Sequence, residues 1–546
     1  MLQKSMAYLL IFAIVLSACN NKKQVSTIIQ HATIYTADSN FTVAQAMAIN
    51  DGKIVAVGSD SAINALYSSK EVIDGTGKTI FPGFIDAHCH FTGYATDMWK
   101  CNLVGTTSFN EIIEKLKVYS TNAPMEWIYG RGWDQNDWAD KQYPNKAILD
   151  SLFPNRPVFL KRVDGHAALL NQKALTLAGI DVTTKIPGGD IEQKNGALTG
   201  ILVDNAMHFA EKKVPNISDS LAKKYFNDAQ AYCFAAGLTG VHDCGVSEHN
   251  IDLVKDAQAN NGLKMKIFAL LSDDTTYYEK WAKSGPLKME RLHVGGFKFY
   301  ADGALGSRGA CLLHDYSDKA GWKGFLLNTL PHFEKAAQLF ANTDLQMCTH
   351  AIGDSGNRAI LNIYANVLKG KNDKRWRIEH AQVVDASDFH YFTDYNIIPS
   401  VQPTHATSDM YWATDRLGAE RIKNAYAFKK LLQTNGWIPL GTDFPVEYIE
   451  PIKTFYAAVT RQDSKGYPAA GFEMENALSR KEAIYGMTIW AAKSAFEEKE
   501  KGSLEKGKAA DFIMLDTDLM TCNKNAILQT NVLGTWVNGE KVYSKK

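Results

Sequence analysis

The run Phe84-Ile85-Asp86-Ala87-His88-Cys89-His90 carries the densest chemistry in the chain. Read as a β-strand, its side chains alternate between two faces, so Asp86, His88 and His90 share one and Ile85, Ala87 and Cys89 the other. Two neutral imidazoles two residues apart on one face can share a metal ion, and imidazole with carboxylate suits Zn²⁺. The same alternation recurs downstream. In GGFKFYADG, Phe297 and Phe299 point out and Lys298 points in; in LQMCTHAIG, Leu345 and Met347 point out while Gln346, Cys348 and His350 point in. WRIEHAQ offers His380 with a less clean pattern, which sets Arg377 and Glu379 on the face opposite His380. GTDFP supplies Asp443, a residue that alone would also suit a helix N-cap. Lys298, taken alone, would suit an ion pair with Asp302. The sequence has no G-x-S-x-G elbow, so serine-based acyl transfer lacks its nucleophile.

Such residues work together only if strands bring their ends to one place. PGFIDAHCH, GGFKFYADG, LQMCTHAIG, WRIEHAQ, IIPSVQP and WIPLGTD are short apolar runs, and most precede helical patterns such as NRAILNIYANVLKG. This alternation predicts an α/β fold, a (β/α)₈ TIM-type barrel with parallel strands over residues 83–502. Both ends of the chain read differently. Alternating runs around Asn50-Asp51-Gly52-Lys53 and around Asn538-Gly539 are hairpin signals. They predict a β-sandwich-like domain assembled from residues 26–82 and 503–546.

PGFIDAHCH, the later Lys298, His350 and His380, and Asp443 in GTDFP resemble the amidohydrolase superfamily of metal-dependent hydrolases. FKFYADGALGSR, with HAIGD and IEHAQ, is similar to its YtcJ-like branch, which includes N-substituted formamide deformylase. The resemblance covers essentially all of the mature chain. It implies metal ligation by His88, His90, Lys298, His350, His380 and Asp443. One or two divalent ions, expected to be Zn²⁺, would be bridged by an N-carboxylated Lys298, and Asp443 would act as the catalytic proton shuttle. The implied reaction is hydrolysis of a C–N bond in a small N-substituted amide, such as a formamide. The same ligand set also suits an esterase, a lactonase or a cyclic amidase, and some YtcJ-like chains are described as regulators, which keeps a non-enzymatic regulatory or binding lipoprotein as a further alternative.

Spacing agrees with that pattern. A minimal barrel allots roughly 31 residues to each βα unit. His350 to His380 is 30 residues, His380 to Asp443 is 63 and Lys298 to His350 is 52, which puts these residues on strands 4, 5, 6 and 8. His88 to Lys298 is 210 residues, whereas three units need only about 95. The surplus predicts an insertion after strand 1, at about 102–235. Three further residues are candidate substrate contacts: His166 in RVDGHAALLN, Arg308 in GALGSRG as a carboxylate clamp, and His405 in QPTH after strand 7. His242 in GVHDCG reads as strand packing. Trp133 and Trp138 suit either an apolar pocket or core and lid packing.

Met6 to Ala18 is apolar except for Tyr8 and Ser17, too short to span a bilayer but suited to a signal-peptide core. It ends Leu16-Ser17-Ala18-Cys19, which resembles a bacterial lipobox. The resemblance implies a signal peptide at 1–18, lipidation of Cys19, a tether at 19–25 and a position on the extracytoplasmic face of the cell envelope. Membrane contact would be through the lipid only. The other seven cysteines are scattered and form no disulfide framework. Lysine plus arginine and aspartate plus glutamate both number 59, so no electrostatic footprint for nucleic acid exists, and a small molecule is the expected partner. The oligomeric state stays open.

Overall fold

Seven runs pair side by side, all parallel, in the order Phe84–Cys89, Leu238–Val246, Lys266–Ser272, Leu292–Tyr300, Gln346–Ala351, Arg377–His380 and Ile398–Ser400. These are barrel strands 1 to 7 of a computed structural model that describes residues 22–123, 125–260 and 262–546. The expected signal peptide at 1–18 and the expected lipidation site at Cys19 lie outside the described residues. The segment 438–443 takes the eighth place. Leu440 bridges Val401 in parallel, the Ala87 amide donates to the Leu440 carbonyl (3.1 Å), and the Asp443 amide donates to the His88 carbonyl (2.7 Å). A Cβ at Gly441 would stand 2.5 Å from the His88 nitrogen, so glycine is what lets the last strand close on the first. The structure is therefore the α/β barrel that the alternation predicts.

The outward alternation at Phe297, Phe299, Leu345 and Met347 is explained by what covers it. These side chains are fully buried in one large apolar cluster between strands and helices. Burial of each removes on the order of 1.5–3 kcal/mol worth of side chain from water. No described helix is long and apolar enough to cross a membrane.

Two additional sheets frame the barrel. One runs Glu540–Ser544, Val532–Val537, Phe512–Leu515, Thr79–Pro82, Thr33–Tyr35, Val43–Ala44, so three strands from the C-terminal end adjoin three from the N-terminal end, joined where Phe512–Leu515 pairs with Thr79–Pro82. It packs on a four-stranded sheet of residues 27–74 through Ile29, Ile34, Met47, Ile49, Phe512 and Trp536. The Asn538-Gly539 turn has φ of 50° and 71°, the paired positive angles that a tight two-residue hairpin demands.

A six-stranded sheet made of residues 101–204 follows barrel strand 1. Trp133 and Trp138 are core residues of this unit, with ring centroids 5.9 Å apart, and neither lines a substrate pocket. The helix Asp219–Ala235 falls inside the range expected for the insertion. Its apolar face, Ala222, Phe226, Ala229 and Cys233, nevertheless joins the barrel core, so the inserted unit ends before it.

Candidate metal centre

The inner face of barrel strand 1 carries Asp86 and His88, with His90 just past its end. Asp86 locks strand 8 in place: its carboxylate accepts hydrogen bonds from the Thr442 amide (3.0 Å), the Thr442 hydroxyl (2.6 Å) and the His88 amide (3.1 Å). Burial raises Asp86 to about 7 despite these bonds.

Three of the imidazoles have one nitrogen committed. His88 Nδ1 meets Glu379 Oε2 at 2.5 Å, His90 Nδ1 meets the Cys244 carbonyl at 2.8 Å, and His380 Nδ1 meets Gln402 Oε1 at 2.8 Å. All three partners are oxygen acceptors, so Nδ1 is the donor in each case. Burial depresses His88 to about 4, and drives His350 and His380 well below the ordinary histidine range. The rings of His88, His350 and His380 are therefore neutral, and with Nδ1 donating, Nε2 of His88 and His380 bears a lone pair, while Nε2 of His90 is left facing the same space.

Lys298 Nζ apart, a carboxylate and a further imidazole stand around these atoms. Asp443 Oδ1 lies 3.1 Å from His90 Nε2 and 3.5 Å from His88 Nε2, and Asp443 Oδ2 lies 3.5 Å from His405 Nε2. Asp443 Oδ1 and His405 Nε2 are buried without a hydrogen-bond partner. Lone pairs opposed at this distance repel unless a cation stands among them. Donor atoms of His88, His90 and Asp443 gather within 4.8 Å of one another, as do those of His380, His405 and Asp443. The residues present therefore fit one or two divalent ions. His350 stands beside His380, with ring centroids 4.5 Å apart. Its Nε2 lies 3.4 Å from the Gly303 carbonyl, which leaves Nδ1 as its lone-pair nitrogen.

Lys298 is buried, with Nζ 3.1 Å from His88 Nε2. It does not pair with Asp302. Both Asp302 oxygens are taken by the backbone amides of Ile352, Gly353 and Cys311.

One expectation from alternation fails. Glu379 and Arg377 face the barrel interior, not the opposite side, and both are fully buried. His380 adopts φ of 75°, so the strand turns left-handed at this residue and aims two successive side chains inward. Asp443 has φ of 65°, and such conformations cost about 1–3 kcal/mol each for a non-glycine residue. Glu379, invisible to period-two reasoning, is what fixes the His88 tautomer. Glu379→Gln is expected to weaken metal retention by about 10–100-fold, the usual effect of losing a carboxylate behind a ligating histidine. Titration of the purified variant with a competing chelator measures it.

Above these groups lies a cavity of about 250 Å³ lined by His166, His405, Tyr300 and Trp412 among others. His166 comes from the inserted unit and hydrogen-bonds Asp204 (2.6 Å), with its ring 5.1 Å from that of His350. A Cβ at Gly303 would come within 2.5 Å of Asp204, so the glycine-rich loop after strand 4 gives the insertion room to dock. Arg308 is not a carboxylate clamp in the cavity. It makes a bidentate pair with Asp318 (3.1 and 2.9 Å) and braces that loop. His242 packs inside the barrel against Phe268 and accepts a hydrogen bond from Arg377. Burial raises Asp409 to about 7, with the Glu447 carboxyl adding to the shift, and also pushes Glu447 up.

A (β/α)₈ barrel whose strand ends bring together four histidines, a lysine and an aspartate is the architecture of a metal-dependent hydrolase. Residues 71–543 match the amidohydrolase family, and the chain belongs to that family. YtcJ of Bacillus subtilis (strain 168) is 30% identical over 94% of this chain and 98% of its own length. N-substituted formamide deformylase of Arthrobacter pascens is 27% identical over 94% and 98%. The crystal structure of an uncharacterized metal-dependent hydrolase from Pyrococcus horikoshii OT3 superposes with a TM-score of 0.75 at 26% identity, covering 91% of this chain and 99% of that one.

Proposed function

We propose that the protein hydrolyses the C–N bond of a small N-substituted amide, a formamide in particular, with zinc held by His88, His90, Lys298, His350, His380 and Asp443. The observation that carries this reading is the convergence of Nε2 lone pairs on an unpartnered Asp443 oxygen. Zn²⁺, when bound, lowers the pKa of water to about 7 and polarises a carbonyl. The chain's own residues do the rest. Glu379, Gln402 and the Cys244 carbonyl fix the ring orientations. Asp443 stays ionised, takes the proton of the attacking water and returns it to the leaving nitrogen. His166 and His405 face the substrate. The cavity of about 250 Å³ suits a small acyl group. Likeness to the formamide deformylase supports the amide and formamide parts of the reading.

Chelator treatment is expected to abolish hydrolysis of N-substituted formamides, and added Zn²⁺ to restore it. An enzyme indifferent to metal removal would refute the proposal. Assayed beside matched esters, lactones and cyclic amides, formamides are expected to be the fastest substrates; a faster ester would move the assignment to the esterase alternative.

The lipobox-like Leu16-Ser17-Ala18-Cys19 supports anchoring to the outer face of a bacterial membrane, where several acyl chains on one residue hold firmly. Cys19→Ala is expected to release the protein from the membrane fraction or block its processing, and unchanged membrane association would count against the anchor.

A further inference from the structure

We propose that Asp204, which stands behind the cavity wall, is a positioning residue for the reaction: it fixes the His166 ring, so that the inserted unit presents one imidazole edge to the reacting carbonyl. This rests on the reading above that His166 faces the substrate, and adds what aims it. Asp204 ends the strand Ala197–Asp204, and His166 immediately precedes Ala167–Leu170, which pairs with that strand antiparallel through Ala167 and Val203. The register brings the two residues together twice. The Asp204 amide donates to the His166 carbonyl (2.8 Å), and the Asp204 carboxylate accepts from His166 Nδ1 (2.6 Å). Nothing about this placement favours the fold. Asp204 is fully buried, its backbone sits at φ of 51° and ψ of −122°, and its Oδ2 has no hydrogen-bond partner among the described residues. An aspartate ahead of a helix ordinarily caps it, yet this side chain makes no capping bond to Asn205–Glu211. Holding the imidazole is the role left to it.

The surroundings are shaped around that bond. A Cβ at Gly303 or Gly309 would stand 2.5 or 2.3 Å from Asp204 Oδ2, so the loop after barrel strand 4 admits the carboxylate only by having no side chain at two places. Gly303 also turns its carbonyl to His350 Nε2 (3.4 Å), which ties the pair to a residue of the metal centre. On the other side, the His166 amide donates to Asp164 (3.0 Å), itself clamped by Arg162 (2.5 Å). With its backbone and Nδ1 both committed, the ring cannot turn over. The edge bearing Nε2 is left for the cavity, where Lys298, Tyr300 and Asp443 also lie. A group held in one orientation before substrate arrives is what catalysis by positioning requires.

A double-variant cycle on the zinc-loaded enzyme tests it. Asp204→Ser is smaller than the residue it replaces and too short to reach the ring. It is expected to lower kcat/KM by about 10²-fold, the scale of a misplaced reacting group, with metal content unchanged. His166→Ala is expected to lose as much. In the combined variant the losses are expected not to multiply, leaving it within about threefold of His166→Ala, because Asp204 then has no ring to aim. A purely structural aspartate would cost the same factor in either background. Losses that multiply, or an unchanged rate in either single variant, would overturn the proposal. The substrate is whichever formamide, ester, lactone or cyclic amide the parent enzyme turns over fastest, so a failed formamide assignment leaves the cycle intact. A second readout needs no turnover. In protein carrying isotope-labelled histidine, the resonances missing from His166→Ala identify this ring. Its Nδ1 proton is expected to exchange slowly with water in the parent and rapidly in Asp204→Ser, and equal exchange overturns the proposal. Should Asp204→Ser fail to fold, Asp204→Asn takes its place in the cycle; a fold lost in both makes Asp204 a folding residue and overturns the proposal as well.

Discussion

Asp443→Asn is expected to keep most of the bound metal while lowering turnover by something like 10²–10⁴-fold, the range for a lost general acid–base group. Asparagine preserves the shape and can still offer an oxygen to a metal ion held beside His90 and His88, whose Nε2 atoms stand 3.1 and 3.5 Å from Asp443 Oδ1. It cannot accept the proton of attacking water. Metal analysis and steady-state kinetics on one preparation separate the two roles. A fully active variant would remove the proton shuttle, and the mechanism with it.

Lys298→Ala is expected to cost at least one equivalent of metal together with most of the activity. The ammonium is buried, no carboxylate lies within 4.0 Å of it among the described residues, and its nearest polar partner is a neutral histidine. An isolated buried cation is expensive. N-carboxylation would convert it into an anion facing imidazole lone pairs, which is why the loss should extend to the metal. A small carboxylate such as acetate is then expected to restore part of both in the alanine variant. Two retained metals and a normal rate would rule the carbamate out.

Much of the centre was legible because a strand has period two. His88, Lys298 and His350 each sit on a regular stretch, where facing is a matter of counting. His380 broke the count because alternation assumes extended backbone, and its φ of 75° is not extended. That one dihedral hid Glu379. Gln402 and the Cys244 carbonyl were hidden for another reason: they act from neighbouring strands, across register that a single sequence does not encode. Arg308 looked like a free clamp because its partner Asp318 lies ten residues on, in a loop without periodicity. The hairpin turns at Asp51-Gly52 and Asn538-Gly539 were plain from residue type, since few other pairs accept two positive φ angles. The end of the inserted unit was less visible, because the helix Asp219–Ala235 is amphipathic whichever core it serves.

The sheet woven from both ends of the chain also sets a timetable for the ribosome. Thr79–Pro82 pairs with Phe512–Leu515, more than 400 residues later in synthesis. At roughly 5–20 residues per second, the early strand waits on the order of 20–90 seconds for its neighbour. During that interval Ile34, Ile80 and Phe81 lack the cover that Phe512, Ile513 and Trp536 later supply, so this part of the core is completed only late in synthesis. Any truncation that removes Phe512–Leu515 makes the exposure permanent, turning a late-folding edge into a site for aggregation.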